Sequence, residues 1–397
     1  MNSFFITGMF RSGTTLVSRM FQSHPEIACA SDPYAPLFKE FRNQYAASIH
    51  NLKDFVLESE SPHDDYYYYD SKTSFFHDLQ TESFEMSCEN VDWVALLDKM
   101  ANFSKPYSPL LFPYFNQLPG STFKETLVNG IDLIKQAYGD DKTKLVGFKE
   151  VWTNEFGTHI VRDIPNSKVV HIIRDPRAVC ASNLVTSAPY PMIFLLRQWR
   201  KACSAALYQQ KFSKYGENVF ILRYEDLISQ PDVYINKVCD FLEIEPHENM
   251  YNPSTYLDGN NQQWLQNSSH KDSILGFNME SINKWKDVLS DRQISMIESM
   301  CCGEMSLFGY QTEQNQFFLS DDIIFNPPEV KQADIANWLR PFVDQSEQSL
   351  VKELSLERVR LSALTSDKEI DKKIAIKLGL WSETFQMMRE NLKRNYL

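Results

Sequence analysis

Gly8, Arg11, Ser12, Gly13, Thr14 and Thr15 follow the apolar run Phe4-Phe5-Ile6 within a few residues of one another. Gly8, four residues, Gly13 and Thr15 reproduce the spacing of a nucleotide-phosphate loop, G-x4-G-K-[ST], but Thr14 stands in the lysine's place. In the usual loop, backbone N–H groups cradle the phosphates, the lysine neutralises the terminal ones, and the last hydroxyl helps hold magnesium. Thr14 cannot neutralise a terminal phosphate. The nearest cation is Arg11, whose guanidinium offers several fixed donors to an oxyanion. Ser12, Thr14 and Thr15 add hydroxyls to the N–H groups of a helix start, which already favours an anion. The chemistry expected is a single phosphate-like group held without an obligatory metal. A short Gly/Ser/Thr turn between strand and helix is also common in α/β proteins, so the loop alone leaves phosphate binding open.

A second basic loop has the same strand-to-helix setting. Lys168-Val169-Val170-His171-Ile172-Ile173 reads as a buried strand and runs into Arg174-Asp175-Pro176-Arg177. Pro176 suits the first helical position, where no hydrogen bond is lost. Arg174 at the strand's end and Ser182 about two turns into the helix would close on a second phosphate, or the arginines and Asp175 would form a surface ion-pair cluster. Lys149 ends another apolar run, Leu145–Phe148, and Val219–Leu222 reads as a further strand. These elements must position the loops in a parallel sheet. The helix after the first loop is marked by Leu16, Val17, Met20 and Phe21 at helical spacing, and it ends at His24-Pro25.

Together these segments resemble the sulfotransferases that use 3′-phosphoadenosine 5′-phosphosulfate (PAPS). Four pieces occur in the family's order across residues 3–310: Arg11-Ser12-Gly13-Thr14-Thr15, the strand with Arg174-Asp175-Pro176-Arg177, Arg223-Tyr224-Glu225-Asp226-Leu227 after a strand, and Ser281-Ile282-Asn283-Lys284-Trp285. The pattern is similar to the arginine-loop branch, which includes tyrosylprotein sulfotransferases and bacterial enzymes acting on small molecules or sugars. The resemblance implies a P-loop-type three-layer α/β fold with a central parallel sheet. It gives the 5′-phosphosulfate end to Arg11, Ser12, Gly13, Thr14 and Thr15, and the 3′-phosphate to Arg174 and Ser182. Tyr224 would contact adenine or the 3′-phosphate, and Ser269 and Lys284 would cover the base. Trp285 would either stack there or belong to the core. Arg11 takes the place of the catalytic lysine of the aryl sulfotransferases, and Lys149 would contact the transferring sulfuryl group.

Asp32 is nominated as the base by its offset from the loop arginine. The tyrosylprotein enzymes have glutamate there, so the acceptor must approach a shorter side chain. Asp before Pro33 is also an ordinary turn residue, and His24, His159 and His270 remain alternatives. Sulfuryl transfer, like phosphoryl transfer, rests on in-line positioning and on stabilising charge at the leaving oxygen, with one group to accept the acceptor's proton. The acceptor expected is a hydroxyl, or a nitrogen, of a small polar metabolite or natural product of secondary metabolism. Carbohydrate and tyrosyl-peptide acceptors are alternatives within the class. A P-loop kinase and an inactive nucleotide-binding scaffold compete from outside it.

Composition bounds the rest. The chain of 397 residues carries a net charge of −12, which argues against nucleic acid or polyanionic glycan as partner. No stretch approaches the ~20 apolar residues that span a bilayer. Met1-Asn2-Ser3 leads straight into the first strand, without room for a signal peptide, so a cytoplasmic enzyme is expected. The seven cysteines show no metal-type spacing and are read as thiols. No metal is expected. Residues 1–325 form the expected sulfotransferase domain, with an insertion over 33–120 shaping the acceptor pocket. Within it, Asp64-Asp65-Tyr66-Tyr67-Tyr68-Tyr69-Asp70 would box a cationic or polar acceptor, or simply cover the core. Residues 326–397 read as a helical C-terminal extension that packs on the core, caps the acceptor site or makes a homodimer.

Overall fold

Strands form where β-branched and aromatic residues can be buried on both faces. They are β1 (Asn2–Gly8), β2 (Ile27–Ser31), β3 (Leu145–Val151), β4 (Ser167–Ile173) and β5 (Val219–Arg223). The computed structural model describes residues 2–49, 61–264 and 277–396. All neighbouring strands are parallel, in the order β2-β3-β1-β4-β5. The sequence reading anticipates four of them and misses β2, whose Ala28-Cys29-Ala30-Ser31 lacks the bulky residues that mark a strand. The chain leaves central β1 for the β2 edge, returns to β3, then crosses to β4 and β5. The loop after β1 therefore sits where the winding reverses, the place where open parallel sheets bind ligands.

The chain forms two compact units. The first comprises Met1–His63, Asp78–Ile173 and Gln209–Met279 and holds the whole sheet. Its core includes Phe5, Phe38, Phe148 and Phe156, with ring centroids 5.0 Å apart for Phe5–Phe148 and for Phe38–Phe156. Leu16, Val17, Met20 and Phe21 of the helix Thr14–Gln22 are buried, as their spacing requires.

The second unit comprises Asp64–His77, Arg174–Tyr208 and Glu280–Leu397. Its helix Asp291–Leu307 starts at a capping box formed by Ser290 and Gln293. The extension contributes the helices Glu347–Thr365, Lys372–Gly379 and Ser382–Tyr396, whose Leu361, Leu364, Leu378, Phe385 and Met388 cluster with Cys302. Arg360 crosses this contact, donating to the carbonyls of Leu378 (2.9 Å) and Met300 (3.1 Å) and to the Glu304 carboxylate. The extension thus packs on its own unit. All seven cysteines are free and buried. Among the described residues no helix is long and apolar enough to cross a membrane.

Candidate functional site

The loop after β1 turns tightly because Arg11 and Gly13 both adopt left-handed backbone, φ 68° and 87°. The Ser12 N–H donates to the Met9 carbonyl at 3.1 Å. Gly13 is the N-cap of the helix Thr14–Gln22 and supplies no side chain to it. A Cβ on Gly13 would lie 2.3 Å from Tyr224 Cδ2, so both the backbone and the tyrosine ring demand glycine. Thr14 is buried and Thr15 partly exposed, while the Arg11 guanidinium lies 5.4 Å over the Phe10 ring. The Ser12 hydroxyl is buried and has no hydrogen-bond partner among the described residues. An orphaned hydroxyl beside an uncapped helix start fits a phosphate or sulfate group.

Two strands away, Asp32 directly follows β2 with φ 49°. Its N–H extends the ladder to the Lys149 carbonyl at 2.7 Å, and its Oδ2 accepts from Lys149 Nζ. The pair is deeply buried, 6% and 2% exposed. Asp32 Oδ1 has no hydrogen-bond partner among the described residues. The Ser108 hydroxyl fixes the strand end just before it, accepting from the Ser31 N–H at 2.8 Å and donating to the Ser31 carbonyl at 2.7 Å. Glu150, wholly buried, accepts from the Tyr34 N–H through Oε1 and so ties down the Asp32-Pro33-Tyr34 turn. Burial first, and then the Asp32 charge, hold the Glu150 carboxyl well above its ordinary pKa. Sequence reasoning passed over Glu150; the signal was a second charged residue at a buried strand's end.

Two of the three histidines offered as alternative bases, His24 and His159, are otherwise engaged. His24 Nδ1 accepts from the Glu26 N–H at 3.0 Å, so its Nε2 donates to the Glu245 carbonyl at 2.8 Å, and burial lowers its pKa. His159 is fully buried with Nε2 2.8 Å from the Leu79 carbonyl, and burial pushes its pKa down to about 4. His270 and Ser269 lie outside the described residues.

In the second unit, Arg174 Nη2 donates to the Ser281 carbonyl at 2.8 Å, and its own carbonyl accepts from Trp199 Nε1 at 2.8 Å. Asp175 caps the helix Pro176–Leu184 through the Arg177 N–H. Ser182 lies in that helix, partly exposed, and Lys284 is exposed at the start of the short helix Trp285–Val288. Arg177 is committed to Asp175, to Glu298 at 2.7 Å and to the Gln311 carbonyl at 2.8 Å. It also lies 4.0 Å over the Trp285 ring, which is buried. Of the two roles considered for Trp285, the structure gives the core one.

The tyrosine-rich run is also inward. Tyr66 and Tyr67 are completely buried, and the cations on the rings belong to the chain itself: Lys201 5.4 Å over Tyr66, Arg200 4.5 Å over Tyr67 and Arg197 5.0 Å over Tyr68. Arg197 also pairs with Asp65 at 2.8 Å. The expected box for a cationic acceptor is thus occupied by arginine and lysine of the same unit. Among the described residues no group of His, Cys, Asp and Glu is arranged to hold a metal ion.

A model of the sulfotransferase family matches residues 3–248. A Caenorhabditis briggsae protein, provisionally named a protein-tyrosine sulfotransferase, is 25% identical over 187 residues, covering 44% of this chain and 65% of the relative. The chain thus spans just under two thirds of that relative's length. Among solved structures, the sulfotransferase domain of the Synechococcus PCC 7002 olefin synthase is 17% identical, with a TM-score of 0.47 over 78% of this chain and 95% of its own. The sulfotransferase domain from the curacin biosynthetic pathway is 16% identical, with a TM-score of 0.43 over 78% and 98%.

Proposed function

Because the chain belongs to the sulfotransferase family, we propose that it transfers a sulfuryl group from PAPS to a hydroxyl of a small polar metabolite or natural product, using an arginine loop. The observation that carries this reading is the loop Arg11–Thr15, in which Thr14 stands at the usual lysine position, Arg11 is the nearby cation and the buried Ser12 hydroxyl lacks a protein partner among the described residues. Arg11, Ser12, Gly13, Thr14 and Thr15 take the phosphosulfate, Arg174 and Ser182 the 3′-phosphate, and Tyr224, Ser269 and Lys284 the nucleoside. The acceptor oxygen attacks sulfur as the bond from sulfur to the bridging oxygen breaks, and the acceptor's proton passes to Asp32 Oδ1. Arg11 offsets charge on the leaving oxygen. Lys149 Nζ has three donors, so it can hold Asp32 Oδ2 while offering another to the sulfuryl oxygens. The buried ion pair supports this assignment, since it places a carboxylate and a cation in one spot.

The test is ligand-induced stabilisation followed by turnover. Adenosine 3′,5′-bisphosphate without magnesium is expected to raise the melting temperature more than ATP or GTP with magnesium, and PAPS to be consumed with a hydroxylated acceptor. Equal or stronger stabilisation by ATP with magnesium would point to a kinase instead.

A further inference from the structure

Strand β2 is an outer strand of the sheet, with β3 as its one neighbour, so every second residue along it turns its backbone N–H and C=O away from the sheet. Asp32, just beyond the strand, points its N–H inward, to the Lys149 carbonyl. Cys29 and Ser31 point outward, and such edge groups must be satisfied by something other than a strand. The Cys29 N–H donates to the Gln22 side-chain oxygen at 2.6 Å. At Ser31 a single hydroxyl does both jobs: Ser108 Oγ accepts from the N–H at 2.8 Å and donates to the C=O at 2.7 Å. Ser108 belongs to the long segment between β2 and β3.

Ser31 has a further tie through its side chain. Its hydroxyl shares a hydrogen bond with that of Ser18 at 2.7 Å, and Ser18 and Gln22 both lie on the helix Thr14–Gln22, which begins at Gly13 of the proposed donor loop. Ser18, Ser31 and Ser108 are at most 1% exposed, so bulk water does not replace these bonds when one is lost. The next residue, Asp32, has φ 49°, a backbone that non-glycine residues keep only where the surroundings enforce it. Ser108 and the Lys149 carbonyl grip the chain from opposite edges at that bend. A rotation there would turn Oδ1, the oxygen without a partner among the described residues, out of line.

We propose that Ser31 and Ser108 are positioning residues: they hold the end of β2 so that Asp32 Oδ1 is presented to the acceptor, and through Ser18 they keep the base and the donor loop in one frame. This rests on the sulfuryl-transfer reading above. The three hydroxyls are committed to bonds within the protein, so they act through Asp32 rather than on the reacting atoms. A displaced base slows the reaction without loosening the donor, because small errors of alignment weigh on the rate far more than on binding.

The test pairs single-turnover cleavage of PAPS, with water as the acceptor, with calorimetric titration of adenosine 3′,5′-bisphosphate. Ser108→Ala is expected to slow cleavage by about tenfold or more while bisphosphate affinity stays within about twofold, and Ser108→Thr, which keeps the hydroxyl, to recover most of the rate. Ser18→Ala and Ser31→Ala should each slow cleavage by about threefold, and the double variant no further, since both remove the same contact. That cycle decides the matter if Ser108→Ala does not fold, because alanine is favoured inside the helix that carries Ser18. Unchanged cleavage in Ser108→Ala, additive losses in the cycle, or a loss of bisphosphate affinity that matches the loss of rate overturns the positioning roles alone. A wild type that leaves PAPS uncleaved overturns the sulfuryl-transfer reading, and the positioning roles with it.

Discussion

Asp32 and Lys149 hold each other in a nearly dry site, so substituting either bears on stability as well as on the proposed chemistry. Asp32→Asn should lower turnover on the order of 10²–10⁴-fold if the carboxylate takes the acceptor's proton. It also leaves Lys149 buried without its anion, a loss of about 3–5 kcal/mol. The double variant Asp32→Asn/Lys149→Met should recover much of the stability and none of the activity, read by calorimetry and a PAPS-consumption assay; recovered turnover would remove Asp32 as base. Glu150 makes the complementary case. With its folded pKa raised above the ordinary 4.5, it stabilises the fold most at acid pH, and that contribution is lost as the pH rises through the folded value. Glu150→Gln keeps an oxygen for the Tyr34 N–H and cannot ionise. Its melting temperature relative to wild type should therefore climb as the pH increases above 4.5, with turnover near normal, whereas Glu150→Ala should slow turnover by freeing the Asp32 turn. A flat melting difference across that range would show that Glu150 does not titrate as described.

At the scale of elements, the strand–loop–helix unit from β1 to the helix Thr14–Gln22 depends on Gly13 meeting Tyr224, the first residue after β5. Gly13→Ala should abolish measurable bisphosphate binding, because the methyl group collides with the ring and also strains the positive φ. Adding Tyr224→Ala removes the collision and leaves the backbone penalty, about 1 kcal/mol for alanine. Part of the stability lost in Gly13→Ala should then return in the double variant, as measured by thermal melting. No recovery would mean that φ alone makes this glycine necessary. The same unit shows how well local pattern reports local structure: the helix's buried residues and the strand before it follow from spacing over about ten positions. Strand β2 does not, since its small residues are held by neighbours rather than by their own preference.

For the molecule as a whole, the second unit buries a group of charges away from the candidate site. Glu357 on the helix Glu347–Thr365 pairs with Arg200 and accepts from the Tyr68 hydroxyl, while Arg360 on the same helix pairs with Glu304. All of these charged groups are essentially inaccessible to water. Glu357→Ala should thus destabilise by about 3–5 kcal/mol, because Arg200 is left buried without that anion, and salt should change the loss little. Bisphosphate affinity of the protein that remains folded should be unaltered. A loss below about 1 kcal/mol, the range of exposed ion pairs, would mean that the extension is a peripheral addition.

The sequence by itself determined the glycine- and hydroxyl-rich loop between β1 and its helix, with threonine at the lysine position, the parallel strand-and-helix alternation and the family, because each is written in neighbouring residues. Backbone conformation, capping and one-sided burial act over a single turn or strand, so spacing reports them directly. Only the tertiary structure decided what the long-range charges and rings do. Lys149 meets Asp32 across 117 positions of chain because β2 and β3 are adjacent, and nothing local to either residue encodes that adjacency. The tyrosines at 66–68 look like a recognition surface in sequence, yet they are filled by arginines and a lysine more than a hundred residues away. Trp152 reads as one more apolar residue at a strand's end, and its left-handed backbone and its stack on Phe10 exist only once β1 and β3 lie side by side.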